Sequence, residues 1–383
     1  MHALTVNRRQ LLRGLGASAA SLLTGHAFGA NSLLTLLEAG EEAPLFASAR
    51  REANGSYALV VFTDSGEELL KFPLPNRGHA VTWHRGLGRM IAFARRPDTF
   101  ALMADLHQTR EPQLFHAPQG RHFYGHGVFS HSGQLVFAPE NDYEQARGMI
   151  GIYDVSDVSG ASIRRLGEFE SFGVGPHDIL MLQDGRTLVV ANGGIETHPA
   201  KGREKLNIGH MKPNIALIDS ESGALIARYE LESELHKLSL RHMGLDGNGD
   251  VWVGGQFQGP TADLPPLVAH LGRDSGLTLL EMPEDVATGL QNYVGSVVSN
   301  RSGDVIATSC PRGGKVLFWD VASKSYLGHN DVVDGCGLAP IDADSFLISD
   351  GTGALRISEG AQSYAEVLAI ATGNSWDNHM QAL

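Results

Sequence analysis

From residue 78 onward, short apolar runs alternate with turn-forming clusters at nearly regular intervals. The first unit reads as four strands, Gly78–His84, Arg89–Ala94, Thr99–Asp105 and about Gln113–His116. Gly86-Leu87-Gly88 and Arg96-Pro97-Asp98 supply the breaks, since glycine reaches backbone angles closed to other residues and proline cannot continue a strand ladder. A second copy begins near Val294 as VGSVVSN, DVIATSC, KVLFWDV and SYLGH. Turns between first and second strands match as well: HSGQ at 131–134, QDGR at 183–186, DGNGD at 246–250 and RSGD at 301–304. Second strands such as LVFA, TLVVAN and DVWVGG are continuous apolar runs, as expected of strands packed on both faces.

A repeat of roughly 40–50 residues with four strands per unit predicts a β-propeller. The chain ends predict how the ring closes. Residues 378–383 carry the first-strand signature with nothing after it, and residues 45–75 hold three strands lacking a first. Joined, they complete a seventh unit. The prediction is therefore an all-β, seven-bladed β-propeller closed by the C-terminal strand pairing with the N-terminal segment. Closure of this kind leaves no exposed sheet edge. Three connections between second and third strands are long, at 139–148, 194–213 and 256–266, and share the face on which the innermost strands begin.

On that frame histidine recurs at one phase: His79, His126, His177, His242 and His379, each opening an innermost strand. Successive spacings are 47 residues (79 to 126), 51 (126 to 177) and 65 (177 to 242). The last interval divides at Tyr293 and Cys336 into steps of 51, 43 and 43. In ring order the five belong to blades one, two, three, four and seven, so they predict one continuous arc at the channel mouth. At least three rings are expected within about 8 Å of one another on the long-loop side, and neutral imidazole is a common ligand for zinc, copper and iron. A histidine there can equally hydrogen-bond a neighbouring blade. Asp178, Glu140, Tyr293 and Cys336 fall on the same rim, and His198 and His210 on the longest loop are placed to form a lid.

Second-strand ends carry another series: Arg50 or Arg51, Arg95, Glu140, Asn192, Gln256 and Arg312. Arg95, Arg312, Asn192 and Glu140 are the candidate cofactor-binding residues, since arginines at a mouth grip carboxylate or phosphate through paired N–H bonds. Rim charge exposed to solvent is the plainer alternative.

The net charge is −13, which argues against a nucleic-acid partner and favours cations near the protein. Asn7-Arg8-Arg9-Gln10-Leu11-Leu12, followed by a weakly apolar stretch, predicts a twin-arginine signal peptide over 1–30 and a periplasmic destination. Without its three arginines the remainder carries about −16. A tail is expected over 31–43, with the propeller occupying 44–383. No apolar run is long enough for a membrane span. Cys310 and Cys336 read foremost as buried thiols. No nucleotide-binding fingerprint and no C-x-x-C-H haem attachment site is present.

The leader together with YGHGVFS, GPHDILMLQDGRTLVVANGGIETHP, SLRHMG and WDNHM resembles a family of exported bacterial propellers known as a domain of unknown function. The resemblance covers about residues 44–383. It implies a setting beside imelysin-like, iron-regulated proteins and di-haem oxidoreductase-like proteins, hence periplasmic iron- or copper-handling partners. More distantly, the histidine-ringed mouth is similar to that of nitrous oxide reductase, whose cupredoxin-type copper domain this chain lacks. The leading expectation is a monomeric periplasmic propeller binding iron or copper for metal acquisition or handling. The alternatives are a metal-dependent enzyme, lactonase-like or oxidoreductase, and an interaction scaffold with structural histidines.

Overall fold

The computed structural model describes residues 43–157, 163–361 and 364–383. The signal peptide expected over 1–30 and nearly all of the tail expected over 31–43 lie outside them.

Seven antiparallel sheets follow one another around a ring. Blade 1 is Gly78–His84, Arg89–Ala94, Phe100–Asp105 and Gln113–His116, from the axis outward. Blades 2 to 6 begin their inner strands at Arg121, Pro176, Leu238, Ser296 and Gly335. Blade 7 is the closing one. Its inner strand, Ser375–Ala382, pairs antiparallel with Leu45–Arg51, placing Phe46 opposite Ala382 and Arg50 opposite Trp376. No helix among the described residues is long and apolar enough to cross a membrane.

The two-sided apolar strands explain the packing. Along Arg89–Ala94, Met90, Ala92 and Ala94 face blade 7 while Ile91 and Phe93 face blade 2, each set in its own core cluster. Seven such clusters fill the seven blade interfaces among the described residues. Side chains alternate across a strand with period two, so one run of apolar residues serves two neighbours.

The connection expected as a long loop at 139–148 is shorter. Its strands pair as far as Asp142 opposite Arg147, leaving only Tyr143–Ala146 as a turn. Buried Glu140 and Asn141 each find partners there, so the polar run PEND extends the sheet. The connections 194–213 and 256–266 are largely irregular, as expected. A short helix, Glu284–Gly289, leads from blade 4 toward blade 5 and was not foreseen. It is followed by Gln291 and Asn292, both at positive φ (51° and 54°).

Candidate metal centre

Local backbone irregularity positions the histidines. Opposite the second strand, blade 1 has an extra residue between Gly78 and Val81, where His79 sits. Blade 3 has one at His177 and blade 4 one at Arg241, just before His242. In blade 7, Asp377, Asn378 and His379 together span the shift between Arg50 and Ser48. Such bulges re-aim a side chain that regular pleating would bury between sheets. In blade 2 the inner strand breaks into Arg121–Phe123 and Val128–Phe129, with His126 in the gap. Gly125 (φ +102°) and Gly127 frame it. A Cβ at Gly125 would stand 2.5 Å from the His79 ring, and one at Gly127 would stand 2.2 Å from Phe93. Only glycine fits.

The five rings form one cluster. Centroid separations are 4.6 Å for His79–His379, 4.7 Å for His126–His379, 4.9 Å for His126–His177, 4.7 Å for His177–His242 and 4.8 Å for His242–His379. Potential ligand atoms of His79, His126 and His379 lie within 4.8 Å of one another, as do those of His126, His177 and His242. His79, His126, His177 and His242 are only 2–5 % exposed.

Carboxylates and one guanidinium orient the rings. His79 Nδ1 donates to Asp377 Oδ1 (2.8 Å), and Asp377 Oδ2 takes Arg77 (2.5 Å) and Arg95 (3.5 Å). His126 Nδ1 lies 2.9 Å from Asp178 Oδ1, and Asp178 is fixed by the Ile179 and Met243 backbone N–H groups. His177 Nδ1 accepts from Arg241 Nη2 (3.0 Å). Among the described residues, Nε2 of His126, His177 and His379 and Nδ1 of His242 meet no partner.

Burial favours the neutral form of four of these rings. It lowers His79 to about 4 against the opposing pull of Asp377, and holds His177, His242 and His379 well below 6.5, with neighbouring imidazoles adding repulsion. Asp377 is buried, which opposes ionisation, yet His79, Arg95 and Arg77 keep its carboxyl below the usual range. Those four imidazoles are thereby held uncharged, the state a metal ligand needs.

A cavity of about 380 Å³ opens onto His79, His177 and His242. Its wall also holds Arg95, Arg96, Arg203, Lys205, Arg241 and Arg312, and no aspartate or glutamate. The chain, acidic as a whole, therefore has a basic mouth.

Of the four candidate cofactor-binding residues, Arg95 and Arg312 line this chamber and the other two do not. Glu140 is fully buried, taking Tyr153 Oη (2.7 Å), Arg165 Nη2 (2.8 Å) and Arg121 Nη1 (3.1 Å). Asn192 is buried on Ser171 O (2.7 Å) and Asn214 Oδ1 (2.9 Å). Gln256 and Tyr293 reach the chamber, with Arg312 over the Tyr293 ring at 4.4 Å. Arg50 instead pairs with Glu52 and Glu68. Cys336 is buried with its thiol toward Trp376 O (3.7 Å), Cys310 is buried too, and both are free. His198 lines a side pocket with His122 and pairs with Glu144, while exposed His210 ends a short 3₁₀ turn. Neither lines the chamber; Arg203 and Lys205 of the same loop do. Sequence reading missed Arg96, Arg203, Lys205, Arg241 and Asp377. Only Arg241 and Asp377 carried a signal, each within two residues of a phased histidine.

Fold and site together define a seven-bladed propeller with imidazoles gathered closely enough to hold a metal ion. Residues 72–383 match the family described as "Protein of unknown function (DUF1513)", and the chain belongs to it. No curated protein matches the sequence. Among solved structures it is similar to the periplasmic gluconolactonase PpgL of Pseudomonas aeruginosa, with 13 % identity, TM-score 0.62 and coverage of 89 % of this chain and 99 % of that one. It is also similar to hydrazine synthase of Kuenenia stuttgartiensis, with 12 % identity, TM-score 0.54 and coverage of 78 % and 90 %. At these identities the likeness is one of fold.

Proposed function

We propose that the protein is a periplasmic propeller that binds one transition-metal ion, iron or copper, at the histidine cluster and serves in metal acquisition or handling. The observation behind this reading is the pair of imidazole triads, His79/His126/His379 and His126/His177/His242, each with its potential ligand atoms within 4.8 Å of one another and with buried nitrogens that meet no partner. Each such nitrogen costs about 1–3 kcal/mol if left unmet. His79 and His126 would ligate through Nε2, because their Nδ1 atoms are taken by carboxylates, the arrangement that commonly backs metal-bound histidine. His379 Nε2 completes that triad, and His242 Nδ1 stands on the other side of His126 in the second one. His177 stands apart. A guanidinium only donates, so its Nδ1 accepts and the neutral ring keeps its proton on Nε2, as a hydrogen-bond donor to the centre.

The Arg8-Arg9 leader supports export, and the fold is shared with a periplasmic protein. The resemblance supports iron- or copper-handling partners, and the protein is read as a monomer. Mass spectrometry of metal in full-length, tag-free protein, followed by copper(II) and iron(II) titration, tests the reading. Roughly one equivalent is expected; less than about a tenth, with no uptake on titration, overturns it. A metal-dependent enzyme is the second reading, favoured by the chamber opening onto the cluster. Turnover of lactones or phenols by metal-loaded protein would decide for it.

A further inference from the structure

The chamber carries a charge imbalance that a metal ion alone would worsen. Six cationic side chains line it without one carboxylate, in a chain of net charge −13. Only Arg95 reaches an acid, Asp377 at 3.5 Å; among the described residues the other five have no ion-pair partner. Arg241 spends Nη2 on His177 and leaves Nε buried and unpaired. Lys205 reaches Gln258, and Arg312 lies over the Tyr293 ring. Burial pushes Arg96 and Lys205 down, and repulsion from neighbouring arginines adds to it. A bare dication moving toward the histidines would climb the same field.

We infer that the chamber binds a small polyanion with two or more carboxylate or phosphate groups, held by Arg96, Arg203, Lys205, Arg241 and Arg312. Guanidinium forks take such oxygens two at a time, and a partly water-excluded wall strengthens each contact. Gln256, Gln258 and Asn292 complete the wall, their amide nitrogens held by backbone carbonyls. The floor is shared with the histidine cluster. His79, His177 and His242 belong to both cavity and cluster, so the anion would lie beside the metal. That adjacency rests on the metal reading; the anion site itself does not.

Calorimetry on metal-free, full-length protein at low salt tests this with citrate, pyrophosphate and, as a monoanion control, acetate. Binding of citrate alone assigns carboxylates, of pyrophosphate alone phosphates, and of both a general oxyanion site; acetate should bind far more weakly. The double variant Arg96→Gln/Arg312→Gln should weaken binding at least about tenfold. Its melting temperature without anion should match or exceed wild type, because like charges have been removed. Arg186→Gln, which loses only exposed pairs with Asp219 and Glu221, should bind normally. No binding of citrate or pyrophosphate, or binding indifferent to the double substitution, overturns the inference. His126→Gln/His379→Gln should bind anion but lose metal. Wild type that takes anion and no metal sinks the metal reading alone, and one that takes metal and no anion sinks this inference alone.

Discussion

Blade 2 contributes to two buried polar regions that resolve opposite ways. In the first, Glu140 takes Tyr153, Arg121 and Arg165, and Glu168 closes the network by pairing with both arginines. Each carboxylate there meets both guanidinium groups. In the second, His126 has an acid on one nitrogen and nothing on the other, and His177, His242 and His379 each leave one nitrogen without a partner. Folding alone accounts for the first region, since a buried ion network must be complete to persist. It does not account for the second. Buried polar atoms are almost always paired, and the proposed metal would give these nitrogens the partner they lack within the protein.

Acid should separate the two regions most strongly. His79 is lowered to about 4 in the folded state, and His177, His242 and His379 are held well below 6.5. The unfolded chain therefore binds more protons below pH 6.5, and stability falls as pH drops from 6.5 toward 4. Each tenfold loss of proton affinity in a ring is worth about 1.4 kcal/mol, so the four rings together are worth several kcal/mol. Urea unfolding at pH 7 and pH 5 in a chelator should show the loss, and metal added in place of the chelator should raise stability at pH 7 without flattening the profile. A flat profile would mean the rings are already charged or solvated. Next in size, Glu140→Ala should cost about 3 kcal/mol by taking the acceptor from the buried Tyr153 hydroxyl and leaving Arg121 and Arg165 to the partly exposed Glu168, while leaving metal stoichiometry intact. Loss of metal in that variant with unchanged stability would reverse the assignment of the two regions.

The sequence made the second region far more legible than the first. His79, His126, His177, His242 and His379 could be phased because they recur at one place in the repeat, although His242 and His379 stand five residues into their inner strands and not at the start as expected. The paired glycines around His126 were visible too, although the closeness of Gly125 to His79 was not. Glu140 misled because its place at a second-strand end suggested the rim. Two further strand residues and an arginine 25 positions away draw it inward instead. The basic chamber was half legible. Arg95 and Arg312 sit at strand ends that repeat, whereas Arg203 and Lys205 lie in an irregular loop whose path no periodicity reveals.

Substitution inside the cluster sharpens the contrast at a smaller scale. His126→Ala and His379→Ala should change metal-free stability by no more than about 1–2 kcal/mol, because neither ring completes a network on which folding depends. Both should abolish the stabilisation by metal, about 2.7 kcal/mol for wild type at free metal 100 times Kd. Thermal unfolding with and without metal reads both quantities. A metal-free loss as large as that of Glu140→Ala, with no metal effect in wild type, would make the histidines structural.

The smallest effect concerns one proton. Arg241 can only donate, so His177 should hold its hydrogen on Nε2 throughout the neutral range, unlike His79, whose Nδ1–H is given to Asp377. Nitrogen NMR of the metal-free protein distinguishes the two tautomers by the chemical shift of each ring nitrogen. Arg241→Met removes a single hydrogen bond, worth about 1 kcal/mol, and should let the His177 proton redistribute between its nitrogens. Metal affinity should change little, because His177 is not among the ligands. If His177 instead carries its proton on Nδ1 in wild type, the Arg241 contact does not set the tautomer. His177 would then join the ligands, and the division between four metal-facing rings and one donor would collapse.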